Sequence, residues 1–187
     1  MPKINLSILG LILASLFSIY SYGAFAYSAS PNSKAQKYDF FHTFSNSLVT
    51  ELAIAKKENK FGVLLFFSTS HCPFCLRMKS TVFNQKDVQT YFQSNFRLLE
   101  MNIESPQLLF DEKNQQLRHI DYAKTHRIRL TPTITFLDQN GELVYRHVGM
   151  IVDPQEFIWL GEYVITGQTR KQNFATFKMY KRRSATQ

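Results

Sequence analysis

Two cysteines among 187 residues cannot form the disulfide framework on which small secreted domains rest. The fold must therefore stand on apolar side chains, and 17 phenylalanines supply much of that material. The same scarcity argues against a structural zinc site, which wants four ligands. There is no second cysteine pair, and His42, His71, His119, His126 and His147 are scattered rather than spaced as ligand pairs. Acidic residues are missing from Gln168 to Gln187, where Arg170, Lys171, Lys178, Lys181, Arg182 and Arg183 stand unopposed. Residues 27–167 hold 15 Lys and Arg against 14 Asp and Glu, so most of the formal net charge of +8 belongs to that tail. A near-neutral body argues against nucleic acid as a partner. The basic tail is expected to be a solvated terminal helix or tail, with contact to anionic lipid or an acidic partner as the alternative.

A long uninterrupted apolar run is also lacking. The segment Ile4 to Tyr20 is diluted by Asn5, three serines and Gly10, and it falls short of the roughly 20 residues a membrane-crossing helix needs. Lys3 precedes it and Ala24-Phe25-Ala26 follows as an A-x-A cleavage pattern. Residues 1–26 therefore read as a secretory signal peptide cleaved after about Ala26. No cysteine adjoins the cleavage site to take a lipid, and a periplasmic location is expected. Residues 27–37, polar and holding Pro31, suit a linker. Residues 38–167 suit one domain, and 168–187 form the basic, aromatic tail.

Within the domain, Phe41, Phe44, Leu48, Leu52 and Ala55 recur at three- and four-residue spacing, which predicts an amphipathic helix over 38–59. Gly62 to Ser68 has almost no polar alternation, as expected of a central strand covered on both faces. Pro73 suits the first turn of a helix whose buried side would carry Leu76, Met78, Val82 and Phe83. Asp87 to Gln93 suits a second helix, Phe96 to Ile103 a strand, and Gln115 to Thr125 a helix. Thr131 to Leu137 reads as a strand entered through Pro132, and Asn140-Gly141 as a hairpin turn returning through Leu143 to Val148. Asp153, Pro154 and Glu156 are start signals for a last core helix. The expected class is α/β: a central mixed sheet of four to five strands with helices on both faces.

Both cysteines sit in Cys72-Pro73-Phe74-Cys75, directly after the apolar strand. Two cysteines three apart lie on one side of a helical turn and can close a small disulfide. At a helix N-terminus the orphan N–H groups and the dipole favour an anion, so the Cys72 thiol should titrate below the free value of about 8.5. Cys72 is then the expected exposed nucleophile, and Cys75, one turn deeper, the resolving thiol that displaces the mixed disulfide. The redox-active disulfide itself is the only cofactor expected. A copper or zinc module using Cys72, Cys75 and His71 is the alternative from another class; as a third option, protonated His71 would favour the thiolate.

Several spaced segments carry a resemblance. Phe66-Phe67-Ser68-Thr69-Ser70-His71-Cys72, Met101-Asn102-Ile103-Glu104, Ile128-Arg129-Leu130-Thr131-Pro132-Thr133, Asn140-Gly141-Glu142 and Val148-Gly149 stand in the order of the corresponding thioredoxin segments. The chain resembles the thioredoxin-like superfamily over roughly Phe61 to Gly167. Its export signal, Thr-Pro-Thr form and basic aromatic tail are similar to periplasmic SoxW-like thioredoxins. The resemblance implies a cis Thr131–Pro132 bond lying against the dithiol, with the Thr131 backbone offered to an extended substrate.

Three departures stand out. His71 replaces the usual tryptophan before the first cysteine, and Phe66 replaces the buried aspartate of the first core strand. The family's lysine on the neighbouring strand aligns with Glu100, which is expected either to replace the missing carboxylate in part or to be an exposed strand-end residue. Ser105 to Arg118 is longer than in the family and could add a helix, a lid or a surface loop. The expected function is reduction of protein or small-thiol disulfides by a monomer recharged from a membrane electron donor. Disulfide oxidation or isomerisation is the runner-up, because direction depends on reduction potential.

Overall fold

The apolar run read as a central strand is β1, Gly62–Ser68, in a computed structural model that describes residues 40–185. The expected signal peptide and linker lie outside the described residues. β1 is buried along its whole length because it is the inner strand of a four-stranded sheet. It pairs in parallel with β2, Phe96–Asn102, and antiparallel with β5, Thr133–Asp138, which in turn pairs antiparallel with β6, Leu143–Val148. The order β2-β1-β5-β6 is the mixed sheet that the sequence predicts.

Alternation along β1 separates two cores. Leu64 and Phe66 face one side, with Met78 of α2 (Pro73–Thr81), Phe92 of α3 (Lys86–Asn95) and Phe157 of α5 (Pro154–Ile165). Val63, Leu65 and Phe67 face the other, with Leu48 and Leu52 of α1 (Leu48–Lys57) and Tyr122 of α4 (His119–Thr125). The phenylalanine surplus is concentrated on the first side. Phe40 stacks on Phe83 at 4.3 Å, Phe92 on Phe157 at 4.2 Å, and Phe66 meets Phe83 edge-on at 5.1 Å. Such pairs add to burial through their quadrupoles.

Several expectations need correction. The helix predicted over 38–59 is confined to α1. Ser47 caps it by accepting from the Thr50 N–H at 3.2 Å. Before it the chain runs irregularly beside β2: the His42 N–H donates to the Leu98 carbonyl at 2.9 Å, and the Leu98 N–H donates to His42 Nδ1 at 3.0 Å. Phe41 and Phe44 thus keep their apolar role without helical spacing. Residues 115–118 are not helical either. β3, Leu108–Phe110, and β4, Gln116–Arg118, form a small antiparallel hairpin, and the helix begins only at His119. Leu76, expected on the buried side of α2, is exposed.

The basic tail is more than a solvated appendage. After a 3-10 turn at Gln168–Arg170, α6 runs over Phe174–Ala185. Phe174 is buried with its ring 5.4 Å from that of Tyr163, and Lys178 and Arg182 both pair with Glu156 of α5.

Candidate active site

Pro73 opens α2 and leaves Cys72 as its N-cap. Extended backbone at Cys72 turns its sulfur back over the first helical turn, where Sγ accepts from the Cys75 N–H at 3.1 Å. The two cysteines form a disulfide with their Cα atoms 5.2 Å apart. Both are buried, Cys72 against the expectation of an exposed nucleophile, because its sulfur turns back over the first helical turn and under Thr131.

A distant stretch of chain closes over it. The Thr131–Pro132 bond is cis, as the resemblance implies. The Thr131 hydroxyl donates to Cys72 Sγ at 3.4 Å, a side-chain contact beyond the backbone role expected of that residue. The Pro132 carbonyl is fixed by the Gly149 N–H at 2.9 Å, which ties the proline loop to the end of β6. Around these groups lie exposed apolar side chains, among them Phe74 between the cysteines and Leu130 beside Thr131.

His71 is exposed on the loop before Cys72. Among the described residues no group of three or more His, Cys, Asp or Glu side chains gathers as a ligand set.

Glu100 is half-buried on β2, on the face that carries Leu98 and packs toward α2. It is not the plain exposed residue of the alternative reading. Its carboxylate accepts from Lys79 Nζ at 2.6 and 2.7 Å and from the Ser68 hydroxyl at 2.6 Å. Where Phe66 removes a carboxylate from β1, a carboxylate is thus present one strand away, paired with a lysine of α2. Neither Lys79 nor Ser68 is among the site residues expected from sequence. A signal for Lys79 existed: it follows Cys75 by four residues and so shares its helix face. Ser68 lies two residues beyond Phe66 and so shares its strand face.

Cys72, Cys75, Lys79 and Glu100 line a cavity of about 600 Å³ that also takes Ser105 and His119 from the far side. The long 105–118 segment thus reaches the site as one wall. Burial lowers the pKa of His119 from its ordinary value, so its ring is neutral at neutral pH. Chemically, the arrangement is an oxidised dithiol at a helix N-terminus with a carboxylate, a lysine and solvent space beside it. It can exchange its disulfide with a thiol that reaches Cys72.

Comparison with known proteins follows the same lines. A family profile of thioredoxin-like domains matches residues 48–165. No curated protein sequence matches the chain. A thioredoxin-fold protein from Helicobacter pylori superposes with a TM-score of 0.63 at 19% identity, covering 79% of this chain and 96% of that one. A proposed disulphide-isomerase from Bacteroides thetaiotaomicron gives 0.52 at 26% identity, covering 67% and 91%. A thioredoxin from Thermus thermophilus gives 0.50 at 22% identity, covering 66% and 88%. The profile runs from the first residue of α1 to the last of α5. On that match the chain belongs to the thioredoxin-like family, and its cysteine pair makes it a thiol:disulfide oxidoreductase.

Proposed function

We propose that the protein is exported to the periplasm and there reduces disulfides of protein substrates, recharged by a membrane electron donor. The observation that carries the chemistry is Cys72 as the N-cap of α2, bonded to Cys75 and touched by Thr131 beside a cis-proline. In the reduced form the Cys72 thiolate attacks one sulfur of a substrate disulfide, the other substrate sulfur leaves as thiolate, and a mixed disulfide forms. Cys75 thiolate then attacks Cys72 Sγ, the second substrate sulfur leaves, and the Cys72–Cys75 bond is restored. Two protein thiols are oxidised and one substrate disulfide is reduced.

The exposed apolar rim, including Phe74 and Leu130, suits an extended polypeptide docked beside the Thr131 backbone. Pro73 fixes the first turn of α2, and His71 stands beside the nucleophile. Glu100 accepts the proton that Cys75 must lose, through the solvent-accessible cavity they share. The export pattern of residues 1–26, the Thr-Pro-Thr form and the basic α6 favour a place among SoxW-like thioredoxins. Oxidation or isomerisation remains a second reading with one observation in its favour, the proposed isomerase role of the Bacteroides relative.

Insulin reduction by dithiothreitol is the test of the enzyme. The protein should accelerate it, and Cys72→Ala should return the rate to the uncatalysed background. Undiminished turnover in Cys72→Ala would overturn the assignment. Equilibration with glutathione buffers then separates the directions: a reductase pair sits near the potential of thioredoxin, about −270 mV, and an oxidant pair near −120 mV.

A further inference from the structure

The cavity beside the disulfide is larger than exchange at Cys72 needs. A volume of about 600 Å³ lies within the range of small-molecule sites, and both cysteines form part of its wall. Its polar groups are unevenly satisfied. Lys79 Nζ donates to the two Glu100 oxygens and carries a third N–H. The Ser70 hydroxyl oxygen accepts from Asn102 Nδ2 at 3.1 Å, and that of Ser105 accepts from the Gln107 N–H at 3.1 Å. Among the described residues neither hydroxyl donates. His119 is 4% exposed. Its Nε2 lies 3.3 Å from Asn46 Oδ1, and its Nδ1 has no hydrogen-bond partner among the described residues. With the neutral ring donating from Nε2, Nδ1 is a buried acceptor left open.

Donors for a carboxylate and acceptors for an ammonium therefore line one space next to a reactive disulfide. We propose that this cavity is a subsite for a small zwitterionic aminothiol, in its thiol or disulfide form, that exchanges with Cys72. Its α-carboxylate is received by Lys79 and the Ser70 and Ser105 hydroxyls. Its α-ammonium is received by Glu100, with the His119 ring in the wall beside it. The proposal rests on the oxidoreductase reading and names a substrate class for the same site. With the disulfide form RSSR, Cys72 thiolate attacks one sulfur and RS⁻ leaves, taking a proton from solvent. The remaining R–S stays bonded to Cys72 with R in the cavity. Cys75 thiolate then attacks Cys72 Sγ and the second RS⁻ leaves. The pair loses two electrons and RSSR becomes two RSH; the reverse course reduces the pair at the expense of two thiols.

The test uses the full chain, reduced, with L-cystine and with the uncharged bis(2-hydroxyethyl) disulfide. Oxidation rates are read by mass spectrometry of quenched samples. Because leaving-group acidity alone alters such rates, the ratio of the two is divided by the same ratio for dithiothreitol in solution. The corrected preference for cystine should be about tenfold or more, the worth of a charge-assisted hydrogen bond or two, and its rate should saturate with concentration. Ser105→Trp, which fills the cavity, should bring the preference close to one, and Ser105→Ala should lower it about threefold. The ratio is internal to each variant, so a general loss of reactivity does not mimic the effect. A corrected preference near one in the unaltered protein, or an unchanged preference in both variants, overturns the subsite. Insulin turnover measured on the unaltered protein distinguishes the failures: if it persists, the oxidoreductase reading stands without the subsite, and if it is absent, that reading fails first.

Discussion

Cys72, the proposed nucleophile, caps α2 by accepting from the Cys75 N–H and also accepts from the Thr131 hydroxyl. The dipole of α2 and these two donors favour negative charge on its sulfur once the disulfide is reduced. Glu100 lacks such backbone support and is held by Lys79 and Ser68. If it takes the Cys75 proton, Glu100→Gln should change the Cys75 pKa in the reduced protein by a unit or so. Titration of Cys75 by pH-dependent alkylation checks this, and an unchanged value removes Glu100 from the mechanism. Cys72 and Cys75 were legible in sequence because the chemistry dictates residue types at fixed spacing, and Pro132 only through the resemblance. Lys79 and Ser68 were not, because their roles depend on which side of α2 faces which strand. That pairing is decided only when β1 and β2 lie side by side.

Among the elements, β1 was the most legible, since seven consecutive positions without alternation leave few alternatives to an inner strand. Its first residue is glycine for a steric reason. A Cβ at Gly62 would lie 2.0 Å from the Leu137 carbonyl oxygen on β5, a backbone atom that cannot swing away. Gly62→Ala should therefore cost about 1–3 kcal/mol, read as a lower denaturant midpoint at unchanged slope. A wild-type midpoint would mean that the β1–β5 spacing is wrong. The hairpin of β3 and β4 was illegible for the opposite reason. Its strands have three residues each and leave most side chains exposed, so neither period is present. The turn was marked, however: Asp111 Oδ1 accepts from the Lys113 and Gln115 N–H groups, and Asn114 takes a positive φ of 60°. Asp and Asn are the residues that tolerate such turns. The stretch before α1 misled in another way. Phe41 and Phe44 are apolar at helical spacing because they reach the core from an irregular segment tied to Leu98, and periodicity does not separate the two cases.

At the scale of the molecule, α6 turns a surplus of basic charge into packing. Its cations meet Glu156 and its first aromatic residue covers Tyr163, so the tail belongs to the folded body. The histidines set a pH dependence for that body. Burial lowers the pKa of His42, His119, His126 and His147 below the ordinary 6.5. A base with a depressed folded pKa binds its proton more readily when unfolded, so stability rises with pH in that window. The contribution is complete above about 6.5 and is lost as pH falls below it toward the folded pKa values. Denaturant unfolding at pH 7.5, 6.5 and 5.5 should show the midpoint falling before the carboxylates begin to titrate. A flat profile across that range would show that these rings are not held neutral.

In the proposed mechanism Cys72 attacks and Cys75 resolves. Alkylation of the reduced protein with iodoacetamide across pH, with the modified cysteine located by mass spectrometry, tests it most directly. Cys72 should be modified first, with an apparent pKa below the free value of about 8.5, while Cys75 remains protected on the buried side of α2. Modification of Cys75 first, or of both cysteines with the titration of a free thiol, would contradict the assignment.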